Sequence, residues 1–135
     1  MVKVHNLHKE IENLNPIVNR GENTLEDDIV KVLQEKLINA KSGEVISIPE
    51  GVFSFNRSLT LDGAENITIQ GAGREKTVLS FKGQVSGAEG LKISANGVIV
   101  KDLAIEDTKG DAIKVQDAHG VTLRNLKISW TGGPS

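Results

Sequence analysis

The chain has 135 residues, of which 38% are hydrophobic and 25% charged, and this composition allows one domain with a modest core. Sixteen lysine and arginine residues oppose eighteen aspartate and glutamate residues, so the net charge of -2 excludes binding to nucleic acid or anionic lipid through bulk charge. The absence of cysteine excludes disulfides, a thiol nucleophile and a cysteine-based zinc site. The polar N-terminus predicts no export signal, and the lack of a long apolar run predicts no membrane span.

Two segments near the N-terminus have helical periodicity. The first predicts a short amphipathic helix that ends before Pro16, and a linker continues to residue 23. The second predicts a longer helix with Thr24 as its N-cap and Ser42-Gly43 as its end. We therefore divide the chain into residues 1–23 and a globular part, residues 24–135. The apolar stripe of the first segment consists of Val4, Leu7, Ile11 and Leu14.

From Val45 onward the hydrophobic period changes from helical to two. Apolar pairs, each with one residue between its members, are separated by glycine, asparagine, aspartate or proline, which is typical of many short strands. The pairs are Ile46/Ile48, Phe53/Phe55, Leu59/Leu61, Ile67/Ile69, Leu79/Phe81, Leu91/Ile93, Val98/Val100, Leu103/Ile105, Ile113/Val115, Val121/Leu123 and Leu126/Ile128.

Three pairs form one repeat, and corresponding pairs recur about every 22 to 23 residues, with roughly nine additional residues in the second repeat. The intervening segments are too short for crossover helices, so parallel pairing requires each coil to lie on the one before it. The sequence therefore predicts an all-β solenoid, a right-handed parallel β-helix of about three and a half coils with a capping helix at its N-terminal end. Matching pairs by order aligns Ile46 with Ile67 and predicts two inward columns, Ile67–Val98–Val121 and Leu79–Leu103–Leu126.

An antiparallel meander is the main rival architecture, because alternation alone does not exclude it. A leucine-rich repeat has a similar period but requires a regular LxxLxL pattern, which the sequence lacks. Sharp corners at Lys101-Asp102 and Arg124-Asn125 favour the solenoid, because aspartate and asparagine tolerate the left-handed backbone conformation.

Several motifs carry a resemblance to a known family. The segments GEVISIPEGVFSFNRSLTLDGAENITIQGAGREKTVLSFKGQ, SGAEGLKI, IEDTKGDAIKV and WTGGPS resemble the start of bacterial parallel β-helix repeat proteins with a pectin-lyase-like fold. The resemblance covers residues 24–135 and implies that the amphipathic helix plugs the N-terminal end of the solenoid. Members of that family are usually exported and run to several hundred residues, so the sequence suggests an engineered or excised N-terminal portion.

The densest polar cluster lies at residues 106–111, and the family resemblance implies that outer acidic and basic groups of this kind could serve a polysaccharide lyase or hydrolase. A matching set of acids on the neighbouring coil is absent, so we interpret the cluster as a solvated turn. Outward positions predict two basic columns, Thr60–Lys92–Lys114 and Gln70–Lys101–Arg124. These columns could bind an anionic polysaccharide or could serve only solubility. The candidate ligand-binding residues are Asp107, Asp111, Lys114, Lys92 and Trp130.

No pattern in the sequence indicates a cofactor or a metal. The histidines His5, His8 and His119 lack the spacing of a zinc site. The segment Gly71-Ala72-Gly73-Arg74 is a turn, because it lacks the lysine and serine or threonine of a phosphate-binding loop.

Two functions remain. We favour a structural β-solenoid module that is inactive alone, because β-helix enzymes build their clefts across more coils than this chain supplies. We expect this module to form a homodimer through the uncovered end of its last coil. The alternative is a carbohydrate-active domain of the lyase, hydrolase or epimerase kind from an exported β-helix protein. No feature supports a nucleic-acid or membrane partner. The predicted association residues are Val4, Leu7, Ile11, Leu14, Leu123, Leu126, Ile128 and Trp130.

Overall fold

The fold was obtained as a computed structural model that describes residues 24–132, so the predicted short helix over residues 4–14 lies outside the described residues. Within residues 24–132 one helix precedes nine strands. Their bounds are α1 (Leu25–Ile38), β1 (Val45–Ser47), β2 (Gly51–Ser54), β3 (Arg57–Asp62), β4 (Thr68–Gln70), β5 (Thr77–Ser80), β6 (Ser86–Ser94), β7 (Ile99–Glu106), β8 (Ile113–Val115) and β9 (Thr122–Ser129).

Helix α1 begins with a capping box, which confirms Thr24 as the N-cap. The Thr24 hydroxyl accepts the Asp27 N–H, and the Asp27 carboxylate accepts the Thr24 N–H, both at 3.1 Å. The two bonds satisfy main-chain groups that the first helical turn leaves without partners.

The predicted helix end at Ser42-Gly43 is wrong by four residues. The helix ends at Ile38 because the N–H and the side-chain amide of Asn39 both donate to the Glu35 carbonyl at 3.0 Å. Gly43, with φ of 87°, instead leads into β1 and donates its N–H to the Glu65 carbonyl.

All strand pairs are parallel, which confirms the solenoid and excludes the antiparallel meander. Strands β1 to β3 form the first turn, β4 to β6 the second, β7 and β8 the third, and β9 lies on β7. One sheet has the order β1-β4-β7-β5-β2, because the first half of β7 pairs with β4 and its second half with β5. The other sheet has the order β3-β6-β8. The chain is therefore a parallel β-solenoid of about three turns with a helix at its N-terminal end.

The predicted column Ile67–Val98–Val121 agrees with the register, since the residues that follow them are paired as Thr68 with Ile99 and Ile99 with Thr122. The second predicted column is wrong in part. Leu103 does pair with Leu126, but Leu79 pairs with Ile105, two residues further along β7.

The cause of this two-residue error is a pair of inward positions that carry no large apolar side chain. Extending the register by one residue places Thr77 beside Leu103, and Thr77 is paired with Gly51 on the turn below. Thr77 is fully buried, and its hydroxyl is satisfied there because it donates to the Pro49 carbonyl at 2.9 Å and accepts the Ala72 N–H at 2.7 Å. A search for apolar pairs cannot recognise either residue as inward. The same kind of error affects Ile46, which pairs with Ile69 rather than with Ile67.

The core is a narrow stack of inward side chains along the solenoid. It includes the stacked rings of Phe55 and Phe81, whose centroids are 5.3 Å apart. Helix α1 packs against β2 and β3 and covers the N-terminal end of this stack. The helical residues buried there are Ile29, Val32, Leu33 and Leu37.

The predicted corners are confirmed. Asp102 and Asn125 have φ of 62° and 52°, and the Asn125 side-chain amide donates to the Asp102 carboxylate at 2.8 Å. The bend of one turn is therefore bonded to the bend of the next.

Candidate association surface at the C-terminal coil

Inward apolar positions that are buried in the earlier turns are exposed in the last coil. Val100 and Ile105 on β7 are 0% exposed, whereas their partners on β9, Leu123 and Ile128, are 49% and 40% exposed. Val115 on β8 is 42% exposed although its partner Ile93 is fully buried. We call this surface the open end, and it consists of Ile113, Val115, Leu123, Leu126, Ile128 and Trp130.

The open end is concave. A hollow of about 430 Å³ is bordered by Ile113 on β8, by Leu123 and Ile128 on β9, and by Trp130 and Asp111 at its rim. The indole N–H of Trp130 donates to the Thr108 carbonyl at 2.8 Å, which orients the half-exposed ring at the rim. The hollow is therefore an open depression lined mainly by apolar side chains.

The strand edges at this end have no second neighbour among residues 24–132. Strand β8 pairs only with β6, and β9 pairs only with β7. An unpaired edge over an exposed apolar core is a template for another chain. At the opposite end, α1 packs on the first turn and covers the core.

Asp107 is bonded within the protein. Its carboxylate accepts the Thr131 N–H and the Thr131 hydroxyl, each at 2.6 Å, and these bonds lower the pKa of Asp107 below its usual value. The carboxylate thereby ties the segment after β9 to the end of β7. Asp107 was predicted as a ligand-binding candidate, and its position indicates a structural use.

The other ligand-binding candidates are not brought together. Lys92 and Lys114 are paired on the outward face of the β3-β6-β8 sheet, above Thr60, as the predicted outward column requires. Asp111 and Trp130 instead border the hollow.

The second basic column also forms, with Gln70, Lys101 and Arg124 in register. Within residues 24–132 no three histidine or acidic side chains are grouped as metal ligands. The segment at Gly71 to Gly73 uses its N–H groups internally, bonding the Lys101 and Asp102 carbonyls.

Val115 and Ile113 belong to the open end but are not among the predicted association residues. The signal is present in the sequence, because these two residues form the apolar pair of β8, but the predicted association residues on the strands are only Leu123, Leu126 and Ile128. The predicted stripe Val4, Leu7, Ile11 and Leu14 lies outside the described residues.

Comparisons with known proteins gave no match: no family model matches the sequence, and neither a curated protein nor a solved structure matches the chain. In the described part of the chain, α1 is too short and too polar to cross a bilayer. The solenoid and its open end are therefore the two features of the molecule that indicate a function.

Proposed function

We propose that this protein is a structural β-solenoid module that forms a homodimer by joining two open ends. The observation that carries the proposal is the change along two inward columns, from full burial of Val100 and Ile105 on β7 to 49% and 40% exposure of Leu123 and Ile128 on β9. Half-exposed aliphatic and aromatic side chains gain from burial, and each gains roughly in proportion to the apolar area that remains in water.

A second copy is the occupant that fits this surface best. Two copies present the same strand edges, so contact about a twofold axis pairs each edge with itself and stops growth at two, while the hollows leave room between the copies for further apolar side chains. Head-to-tail stacking would instead require a free N-terminal end, and α1 covers that end.

The stripe of residues 4–14 completes the proposed interface. Residues 15–23 can extend about 30 Å. The stack from β1 to β9 is about 14 Å high and α1 adds a layer of about 10 Å beneath it, so the stripe is within reach of the open end. An amphipathic helix already covers one end of the solenoid, and a second apolar stripe is suited to the same use at the other.

The resemblance to bacterial β-helix proteins with a pectin-lyase-like fold supports a scaffold of this kind and brings with it the carbohydrate-active alternative. We place that alternative second because the Asp107 carboxylate is occupied by Thr131 and because the outward column of Thr60, Lys92 and Lys114 contains no acidic side chain. Incubation with uronate polymers should release no unsaturated product, and ultraviolet absorbance of the new double bond would reverse this order.

The decisive measurement is the mass of the 135-residue chain in solution, by chromatography with light scattering, up to high micromolar concentration. We expect a dimer for the wild type and a monomer for Leu123→Lys, which places a charge on the open end. Val52→Lys is the matched control, because Val52 is 58% exposed on β2, in the first turn. Deletion of residues 1–16 should weaken the dimer.

The proposal fails if the wild type is monomeric throughout, or if both lysine variants dimerise equally.

A further inference from the structure

The backbone of β9 has a defined direction of hydrogen bonding. The Thr122 N–H donates to the Val98 carbonyl at 2.9 Å, and the Ser129 carbonyl accepts the Asp107 N–H at 2.9 Å, so both residues bond toward β7. Neighbouring residues in a strand direct their main-chain groups to opposite sides. Leu123 and Ile128 therefore direct their N–H and C=O groups away from β7, toward the open end.

The lower turns show what such groups do when a further strand is present. At one corner of the solenoid, a carbonyl of each turn accepts an N–H from the turn above. The carbonyls of Glu44, Ile67 and Val98 accept the N–H groups of Thr68, Ile99 and Thr122 at 3.0, 2.9 and 2.9 Å. The next carbonyl in this series is that of Val121, at the open end. Three such bonds link the stacked strands β1, β4, β7 and β9, and no main-chain N–H of residues 24–132 bonds the Val121 carbonyl.

Covering the apolar side chains of the open end also covers these main-chain groups. Leu123 and Ile128 carry both features, since the same residues direct their side chains into the hollow and their backbone groups toward the partner. Buried N–H and C=O groups are almost always paired, so a contact made by side chains alone would leave them unsatisfied.

The direction of pairing follows from the symmetry. A twofold axis perpendicular to the solenoid axis keeps the hand of the solenoid but reverses the direction of each strand that faces its copy. Strands that are parallel within each copy therefore run antiparallel across the junction. We infer that the homodimer of the proposed function is joined by antiparallel main-chain hydrogen bonds at the β9 edge, in which the N–H and C=O of Ile128 bond to the β9 of the second copy.

Amide hydrogen exchange tests this pairing without any substitution. In the 135-residue chain, raising the concentration from the monomeric to the dimeric range should slow exchange at Leu123 and Ile128 by at least about tenfold. Exchange at Thr122, which is bonded within the same copy, should change far less and serves as the internal control.

The outcomes separate the two proposals. A chain that stays monomeric overturns both the proposed function and the pairing. A dimer in which Leu123 and Ile128 exchange as fast as in the monomer overturns the pairing alone and leaves the side-chain interface intact.

A pair of variants gives an independent readout. Ile128→Pro removes the N–H directed at the partner, whereas Ile128→Val keeps it and shortens the side chain by one methylene. We expect the proline variant to raise the dimer dissociation constant at least about tenfold more than the valine variant does, with circular dichroism confirming that both are folded. Equal dissociation constants for two folded variants would overturn the pairing, and the exchange experiment decides the matter if the proline variant unfolds.

Discussion

Two leucines on adjacent turns provide a quantitative test of the burial difference between the core and the open end. Leu103 on β7 is fully buried, whereas Leu123 on β9 is 49% exposed. Replacing leucine by alanine removes the equivalent of three methylene groups, about 2.4 kcal/mol of transfer free energy for a fully buried side chain. For Leu123, about half of that value applies and the site is open to water, so Leu123→Ala should lower the free energy of unfolding by about 1.2 kcal/mol.

Leu103→Ala should cost more than the transfer term alone. A cavity remains inside the stack because neighbouring turns cannot collapse into it, and measured costs for buried leucine reach roughly 3 to 5 kcal/mol. Urea unfolding followed by far-ultraviolet circular dichroism, at a concentration below association, would measure both values. At higher concentration the cost of Leu123→Ala should grow, because dimerisation stabilises the folded chain and the variant associates less well.

Equal losses of unfolding free energy for Leu103→Ala and Leu123→Ala in the monomeric range would refute the burial difference between the core and the open end. If a variant changes the slope of the unfolding free energy against urea concentration, its unfolding is no longer the same two-state transition. We would then interpret the result as separate unfolding of the last coil, and the measured free energies would refer to the remaining turns.

Three further predictions follow from the cap, the Asp107 contact and a close backbone approach. Thr24→Ala should cost about 1 kcal/mol in urea unfolding, because it removes a hydrogen bond of the capping box. The lowered pKa of Asp107 means that its bonds to Thr131 stabilise the fold above the unfolded pKa near 3.9 and are lost as the pH falls through the folded value. The stability difference between wild type and Asp107→Asn should therefore be constant at neutral pH and shrink below about pH 4, and a difference that grows in acid would contradict the assignment. Gly90→Ala should destabilise the chain strongly, because the new methyl would lie 2.6 Å from the Ala112 carbonyl oxygen, whereas Gly83→Ala meets nothing within 4 Å and should be nearly neutral by thermal unfolding.

The architecture could be predicted because inward positions repeat once per turn and most of them are aliphatic. Alternation and period together favoured parallel stacking over an antiparallel meander, and the corner residues Asp102 and Asn125 supported it. The register could not be predicted fully, because Gly51 and Thr77 occupy inward positions without an apolar signal. Burial of Thr77 depends on hydrogen bonds to Pro49 and Ala72, partners that become neighbours only after folding.

The candidate site was predicted less completely. Exposure of Leu123 and Ile128 could be inferred because they belong to the last repeat, and the same argument applied to Val115 would have included β8. The bonds between Asp107 and Thr131 span 24 residues, close to one turn, so stepping forward by the period from Asp107 would have suggested them. The contact of the Trp130 indole with a carbonyl could not be anticipated, because an apolar pattern carries no information on main-chain acceptors.

The unequal length of the turns shows where this scaffold accommodates added sequence. Ile69 and Val100 are paired across 31 residues, whereas Ile46 and Ile69 are paired across 23, yet both pairs keep their inward side chains buried. Closing the longer segment costs only about 0.3 kcal/mol more in chain entropy. The exposed positions 74 and 75 are therefore suitable for grafting a binding loop, because they lie between the hydrogen-bonded residues Gly73 and Lys76. The length of such a loop would be set by its target and not by the spacing of the turns.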